Sequence, residues 1–262
     1  MVLCYAYCNV SVMPLRAEPA HRAEQVSQLL FGERMEVLEA GDGEWMRVRG
    51  AADDYEGWCK AGQLKIIPWK EYKKNVSYLS VHDGSRLLTE QGEMWLPLGS
   101  SLRGLSRGRI ALPEGEGRFR GKKMAVARLN WDPEKLRYWA LQYLHAPYQW
   151  GGRTTAGIDC SGLTQMVYLL CGRLLPRDAR DQAEQGTAVD FLQNSRCGDL
   201  GFFDNPEGLI THVGILLDPN HIIHATDTAG RVVLDRIDTG GIISLSLKKR
   251  THNLRLIRRY VS

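Results

Sequence analysis

The sequence has no stretch of about 20 apolar residues, the length that a membrane-spanning helix needs. Its apolar beginning lacks the positively charged segment of a secretory signal and soon reaches Asn9, Ser11 and Pro14. The chain also has no dense basic block, and its formal net charge is only +4. These absences argue against a membrane protein, an exported protein and a nucleic-acid-binding protein. We therefore expect a cytoplasmic protein, and we expect it to be a monomer.

The six cysteines form neither a CxxC pair nor a dense disulfide framework. Cys4 and Cys8 lie four residues apart, but no nearby pair completes a metal site. We therefore expect free thiols in a reducing compartment, and no bound metal.

Short apolar segments separated by glycine-containing turns fill the first half of the chain. In residues 1–67 the candidate strands are 1–8, 10–12, 35–38, 45–48 and 57–60. Strands of this length and spacing predict a small β-barrel. Residues 68–129 are also β-rich, with candidate strands at 76–81, 94–98 and 124–127.

The composition changes at residue 130, where helical periodicity begins. Asp132 suits a helix N-cap and Pro133 suits the first helical turn. Apolar residues then recur at helical spacing, and we expect Pro147 to end this helix. A glycine-rich loop, a second helix and several strands follow, so residues 130–262 predict an α+β catalytic domain.

Cys160 is the candidate nucleophile because it lies in the first turn of the second predicted helix. The positive end of a helix dipole favours a thiolate over a thiol, and the thiolate is the nucleophilic form. The alternative is an inert buried cysteine, which is our interpretation of Cys171 and Cys197.

Two histidines complete the candidate site. Predicted strands at 211–217 and 221–226 are joined by a turn at 218–220. Antiparallel pairing would bring His212 and His224 together near one end of a sheet. A cysteine nucleophile, a histidine base and an orienting group form a known catalytic arrangement. The other histidines have no such constellation, and we interpret them as structural residues: His21, His82, His145, His221 and His252.

Four motifs resemble the NlpC family of cell-wall cysteine peptidases. They are Tyr-x-Trp-Gly-Gly at 148–152, Asp-Cys-Ser-Gly-Leu at 159–163, Gly-Asp-Leu at 198–200 and His-Val-Gly-Ile at 212–215. The resemblance covers roughly residues 131–260 and implies a papain-like fold with no metal or organic cofactor. It implies that Cys160 attacks the substrate, that His212 is the base and that His224 orients it.

The segment around residues 43–64 resembles bacterial SH3-like domains. We therefore predict an SH3-like domain at 1–67, a second, degenerate SH3-like or β-rich domain at 68–129, and the peptidase domain at 130–262. This order resembles a subgroup of γ-D-glutamyl-L-diamino acid peptidases that act in murein peptide recycling. The resemblance implies cleavage of peptidoglycan stem peptides with a free N-terminal L-alanine and release of L-Ala-γ-D-Glu.

The same resemblance implies residues that bind the substrate. Asp178 would pair with the substrate amine, and Glu33 and Tyr55 from the first domain would close the pocket. The Tyr148 hydroxyl would assist the oxyanion or the substrate backbone, together with the Cys160 N–H. Ser161 would contact the substrate or support the helix start.

The sequence also allows other roles for these residues and other functions for the chain. Asp178 is otherwise a solvated loop residue or a helix cap, and Tyr148 is otherwise part of the loop packing. The whole chain could instead be a non-catalytic wall-binding protein or a cysteine acyltransferase on the same fold.

Overall fold

The computed structural model describes residues 1–113 and 115–260. The chain forms two compact units, Met1–Leu129 and Asn130–Ser262. All six cysteines are free thiols. Within the described ranges, no helix combines the length and the apolar character that a membrane span requires.

The first unit begins with an antiparallel seven-stranded sheet in the order β3-β2-β6-β5-β4-β1-β7. Its strands are β1 (Cys4–Cys8), β2 (Val12–Arg16), β3 (Gln25–Leu30), β4 (Arg34–Ala40), β5 (Trp45–Gly50), β6 (Glu56–Lys60) and β7 (Leu64–Ile67). Alternate side chains such as Met13, Leu15 and Val48 fill its core, as expected for strands that bury one face. The predicted SH3-like barrel is confirmed. The strand predicted at 10–12 starts only at Val12, because residues 10 and 11 form a bend.

The rest of the first unit is also mostly β-structure. It contains α1 (Trp69–Tyr72), β8 (Tyr78–Ser80), β9 (Arg86–Thr89), β10 (Gly92–Trp95), β11 (Arg109–Leu112), β12 (Gly115–Arg120) and β13 (Lys123–Ala125). A four-stranded sheet has the order β10-β9-β12-β11, and β13 pairs with β8. Phe31, from the turn after β3, packs in one core with Leu87, Leu96 and Ile110. The division of this unit at residue 67 stays a prediction.

The second unit contains three helices and nine strands within its described residues. They are α2 (Pro133–Leu141), β14 (Arg153–Thr154), β15 (Gly157–Ile158), α3 (Cys160–Leu170), α4 (Ala179–Ala183), β16 (Thr187–Ala188), β17 (Leu200–Asp204), β18 (Ile210–Asp218), β19 (His221–Thr226), β20 (Arg231–Asp238), β21 (Gly241–Ser244) and β22 (Lys249–Arg259). Strands β17 to β22 close into a six-stranded barrel, because β22 pairs with both β17 and β21. The predicted α+β, papain-like class is confirmed. Short 3-10 turns also occur in the two units, at Asp42–Glu44, Ala61–Gln63, Val126–Arg128 and Leu192–Asn194.

Helix α2 starts where the sequence predicts and ends earlier. The Asp132 carboxylate accepts hydrogen bonds from the backbone N–H groups of Glu134 and Lys135, at 2.9 and 3.3 Å. The prediction that the helix continues to Pro147 is wrong, because α2 ends at Leu141. Tight turns follow, and His145 adopts a left-handed backbone conformation with φ of 70°, which a helix cannot accommodate.

Helix α3 lies against β18 and β19 of the barrel. Its sequence predicts one apolar face, but every residue of the helix except Leu169 is buried. Its polar residue Thr164 donates a hydrogen bond to the backbone or to Gln182 Oε1, each acceptor lying 2.8 Å away. Burial on all sides fixes the position of the first turn of α3, where Cys160 lies.

Candidate active site

Cys160 is the first residue of α3, as the sequence predicts, and only 5% of its surface is exposed. Asp159 is the N-cap residue, and its carboxylate accepts a hydrogen bond from the Gly162 N–H at 2.7 Å. The other oxygen accepts from the Gly151 N–H at 2.8 Å. The carboxylate therefore joins the helix start to the loop that precedes it.

A buried arginine completes the surroundings of this N-cap. The Arg177 guanidinium donates to both oxygens of Asp159, at 3.0 and 2.5 Å, and to Ser161 Oγ at 2.8 Å. Arg177 and Asp159 are only 2% and 4% exposed. A bidentate pair of this kind fixes the relative orientation of both groups. Arg177 is not among the site residues predicted from the sequence, because nothing local indicates that it reaches back eighteen residues.

Position 162, after Cys160 and Ser161, requires glycine for a steric reason. A Cβ at Gly162 would lie 2.3 Å from the Gly152 carbonyl oxygen, far inside van der Waals contact. The first turn of α3 can therefore approach the loop at 149–152 only with glycine at position 162.

The Cys160 thiol lies beside the start of β18, where its sulfur accepts a hydrogen bond from the Val213 N–H. Burial raises the pKa of this thiol to about 12, and the Asp159 charge adds to the rise. The Val213 N–H, Arg177 and the Ser161 N–H lower the pKa by less. Burial therefore opposes the thiolate that the helix terminus favours.

His212 and His224 meet as the predicted hairpin requires. His212 Nε2 lies 2.9 Å from His224 Nδ1, and both rings are buried. Gly214 makes room for them, because a Cβ there would come within 3.0 Å of the His224 Cβ. Burial lowers the pKa of His212 well below its usual value, and the neighbouring rings of His224 and His252 act in the same direction. Because Nε2 of His212 is engaged by His224, Nδ1 is the ring nitrogen that can act as a base.

Asp235 extends the hydrogen-bonded series that begins with His212 and His224. Its Oδ2 lies 3.2 Å from His224 Nε2, and its Oδ1 accepts from the Leu245 N–H at 2.8 Å. Asp235 lies on β20, beside the strand that carries His224, and is 3% exposed. Asp235 is not among the site residues predicted from the sequence, because aspartate in a strand has no motif of its own.

His252 also belongs to the cluster, which corrects its interpretation as a residue without a constellation. Its ring stacks on that of His212, with centroids 4.1 Å apart and an interplanar angle of 23°. Burial lowers the pKa of His252 to about 4. His252 comes from β22, which reaches this place only through barrel closure, so local patterns could not have found it.

The three histidines are also a group that could hold a metal ion, since each offers a nitrogen within 4.8 Å of the others. Both ring nitrogens of His224 already have partners, however, and so do one nitrogen of His212 and one of His252. The His212–His224 hydrogen bond, the contact of His224 with Asp235 and the contact of His252 Nδ1 with Thr251 Oγ1 use them. A metal bound by all three histidines would have to displace either His212 or Asp235 from the ring of His224.

Tyr148 lies in the loop before Cys160 and is half-buried. Its N–H donates to the Gly230 carbonyl at 2.8 Å, and residue 148 forms a bridge with Ile158. Burial raises the pKa of its phenol, and the neighbouring Cys160 and Asp159 groups raise it further. The hydroxyl therefore stays protonated near Cys160 and can donate a hydrogen bond.

Ser161 and Asp178 occupy different environments. The Ser161 hydroxyl accepts from Arg177, and only 6% of the residue is exposed, which matches its role in supporting the helix start. Asp178 follows Arg177 and is exposed at the start of α4. It has the N-cap position, but its side chain makes no capping hydrogen bond to α4. Substrate contact by either residue stays a prediction.

Glu33 and Tyr55 lie at one end of the SH3-like barrel. Glu33 accepts from the Leu30 N–H at 2.8 Å and directly precedes β4. Tyr55 ends the turn between β5 and β6, whose Ala51 N–H donates to the Arg34 carbonyl. These contacts place both residues near the start of β4, and their part in a substrate pocket stays a prediction.

The fold and the site define a papain-like cysteine hydrolase, and comparisons with known proteins specify the family. Residues 145–251 match the NlpC/P60 family, and residues 15–64 match the bacterial dipeptidyl-peptidase SH3 domain. The chain is 30% identical over 218 residues to the γ-D-glutamyl-L-lysine dipeptidyl-peptidase of Bacillus subtilis, covering 77% of this chain and 72% of that protein. It is 29% identical over 248 residues to dipeptidyl-peptidase 6 of Lysinibacillus sphaericus, covering 86% and 88%.

A solved structure supports the same fold. The crystal structure of an NlpC/P60 family protein from Bacillus cereus matches with a TM-score of 0.84 and 21% identity, covering 98% of this chain and 100% of that one. The chain belongs to the NlpC/P60 family of cysteine peptidases. The predicted family, its SH3-like domain and the enzyme class are thereby confirmed.

Proposed function

We propose that this peptidase hydrolyses the bond between γ-D-glutamate and the diamino acid in peptidoglycan stem peptides with a free N-terminal L-alanine, releasing L-Ala-γ-D-Glu. The observation that carries the proposal is the contact of the Cys160 sulfur with the backbone N–H of Val213, the residue directly after His212, whose buried ring pairs with that of His224. Two relatives named as dipeptidyl-peptidases support the substrate class, because this chain covers most of their length.

In the first step, the Cys160 sulfur attacks the γ-glutamyl carbonyl and forms a carbon–sulfur bond. His212 takes the thiol proton at Nδ1, because its Nε2 is engaged by His224. His212 then gives this proton to the amine of the diamino acid as the carbon–nitrogen bond breaks. The thiol is neutral at rest, so proton transfer accompanies the attack.

In the second step, water attacks the thioester while His212 takes one of its protons. The carbon–sulfur bond breaks, the proton returns to Cys160, and L-Ala-γ-D-Glu leaves with a new carboxylate. The Cys160 N–H at the helix start and the protonated Tyr148 hydroxyl would stabilise the oxyanion in both steps.

The free amine of the substrate is the proposed basis of specificity. Asp178 offers an exposed carboxylate directly after the buried Arg177 that holds the Cys160 helix start. A carboxylate in a pocket pairs well with an ammonium group. Glu33 and Tyr55 stay part of the proposal as an acidic and an aromatic candidate for substrate contact, as the family resemblance implies.

The test is product analysis by mass spectrometry with L-Ala-γ-D-Glu-L-Lys, its meso-diaminopimelate analogue and the N-acetylated form of each. We expect L-Ala-D-Glu and a free diamino acid from at least one unblocked peptide. N-acetylation should slow cleavage about 30-fold or more, the factor for losing a charge pair worth ~2 kcal/mol.

Absence of cleavage in all four peptides would contradict the proposed function. Equal cleavage of blocked and unblocked peptides would leave the bond assignment standing and overturn the assignment of Asp178, Glu33 and Tyr55. An added amine that yields a transfer product in place of hydrolysis would indicate an acyltransferase.

A cytoplasmic role in murein recycling is part of the same proposal. The six free thiols fit a reducing compartment. Fractionation of cells that produce the native gene product tests it, and recovery from the cell-wall fraction would contradict it.

A further inference from the structure

We propose that Asp235 is a positioning residue that sets the tautomers of His224 and His212. The inference rests on the proposed function, in which His212 must present an unprotonated Nδ1 to the Cys160 thiol. The path runs from Asp235 Oδ2 to His224 Nε2 over 3.2 Å, and from His224 Nδ1 to His212 Nε2 over 2.9 Å.

The charge of Asp235 depends on two opposing effects on the pKa of its carboxyl group. Burial by itself would raise the pKa of this carboxyl group. Hydrogen bonds from His224 and from the Leu245 N–H outweigh burial, so the net shift of the pKa is downward. Asp235 is therefore a carboxylate at neutral pH, and a carboxylate can only accept hydrogen bonds.

The charge of Asp235 decides which nitrogens of the two histidines donate and which accept. His224 Nε2 faces a carboxylate oxygen, so this nitrogen must carry the proton. In a neutral imidazole the other nitrogen then holds a lone pair, and His224 Nδ1 becomes the acceptor. His212 Nε2 must therefore donate, which leaves the lone pair of His212 on Nδ1.

Burial makes this assignment unambiguous. His224 is 0% exposed, His212 is 6% exposed and Asp235 is 3% exposed, so solvent does not compete for the ring nitrogens. A mismatched tautomer would set two donors or two lone pairs against each other, at a cost of about 1–3 kcal/mol in a buried site.

The Leu245 N–H makes Asp235→Asn a sharp test. It donates to Asp235 Oδ1 at 2.8 Å, so an asparagine would keep its amide oxygen there and turn its NH₂ group toward His224. His224 Nε2 would then have to accept, and its proton would move to Nδ1. His212 Nε2 would accept in turn, and His212 Nδ1 would carry a proton and lose its function as a base.

The experiment compares Asp235→Asn with a control, Asp218→Asn, in turnover of the tripeptide and in imidazole nitrogen NMR. Asp218 accepts from the exposed His221 at 3.0 Å, so the control removes a carboxylate–histidine pair outside the buried cluster. Asp235→Asn should lower kcat about 10²–10⁴-fold, the order known for a wrong tautomer in an analogous triad, with KM nearly unchanged. Asp218→Asn should stay within about threefold of the wild type.

The NMR measurement reads the tautomers without substrate. In the wild type, both His212 and His224 should carry the proton on Nε2, and in Asp235→Asn both should carry it on Nδ1. Protonated Nδ1 in the wild-type rings would overturn the inference even if the variant failed to fold. Unchanged tautomers in a folded Asp235→Asn with kcat within threefold of wild type would overturn it as well.

The experiment distinguishes a failure of the proposed function from a failure of the proposed role of Asp235. If the wild type cleaves no stem peptide but the tautomers exchange in Asp235→Asn, the proposed substrate is wrong and the role of Asp235 stands. If the wild type cleaves the tripeptide and the tautomers do not respond, the role of Asp235 is wrong and the proposed function stands.

Discussion

The rings of His212 and His252 stack with their centroids 4.1 Å apart and their planes 23° apart. The hydrogen bond from His212 Nε2 to His224 fixes one nitrogen but still permits the ring to turn about that bond. A flat contact removes this freedom, because a turned ring would collide with its neighbour. The stack therefore fixes the orientation of the His212 ring, including that of its Nδ1.

Substitution of His252 tests this role. We expect His252→Ala to lower kcat about tenfold or more, because a misplaced base is costly. His252→Phe keeps a flat ring and should recover most of the loss. His221→Ala, on the exposed side of the same barrel, is the matched control and should leave kcat unchanged. If the phenylalanine variant is as slow as the alanine variant while both remain folded, stacking is not the cause.

Acid should weaken the fold through the same cluster. His252 has a pKa of about 4 in the folded protein and an ordinary value of 6.5 when exposed. Between these values the unfolded chain binds more protons than the folded one, so the free energy of unfolding falls as the pH falls. Urea unfolding at pH 7 and pH 4.5 should show a smaller decrease for His252→Phe than for the wild type. Equal decreases would mean that His252 does not titrate as described.

The buried pair of Arg177 and Asp159 should make a large difference to stability. Arg177→Ala leaves an uncompensated buried carboxylate, and the free energy of unfolding should drop by about 3–5 kcal/mol in urea titrations. Asp159→Asn added to this variant should restore part of the loss, because it removes the unpaired charge. Arg180→Ala, an exposed residue of α4, serves as control. An Arg177→Ala loss as small as that of the control would contradict the role of the pair.

The raised pKa of Cys160 predicts its alkylation behaviour. Iodoacetamide reacts with thiolates, so labelling of Cys160, located by peptide mapping, should accelerate with a midpoint above the free-thiol value of ~8.5. A midpoint well below that value would instead indicate a thiolate paired with a protonated His212 in the resting enzyme. A non-catalytic cysteine in open solvent would titrate near the free-thiol value.

Local signals in the sequence predicted the helix starts and the approach of the two histidines. The N-cap residues Asp132 and Asp159 identified the starts of α2 and α3, because a cap depends on neighbours within one helical turn. His212 and His224 are twelve residues apart on one hairpin, so their approach also followed from local pairing.

Three residues of the site could not be predicted from the sequence, and the reason is the same for each. Asp235, His252 and Arg177 reach the site through strand order, barrel closure and a long return of the chain, which no short window of sequence contains. The burial of Cys160 is non-local as well. The helix terminus is visible in the sequence, but the burial that outweighs it arises only from tertiary packing.

The central claim is that Cys160 is the nucleophile of a peptidase that cleaves after γ-D-glutamate. The most direct measurement compares release of L-Ala-D-Glu from the tripeptide by the wild type, Cys160→Ala and Cys197→Ala at equal concentrations of folded enzyme. Cys197 lies in the same unit and is only partly buried, so it controls for the loss of a thiol. We predict that Cys160→Ala releases no dipeptide above background and that Cys197→Ala matches the wild type. Undiminished release by Cys160→Ala would contradict the account.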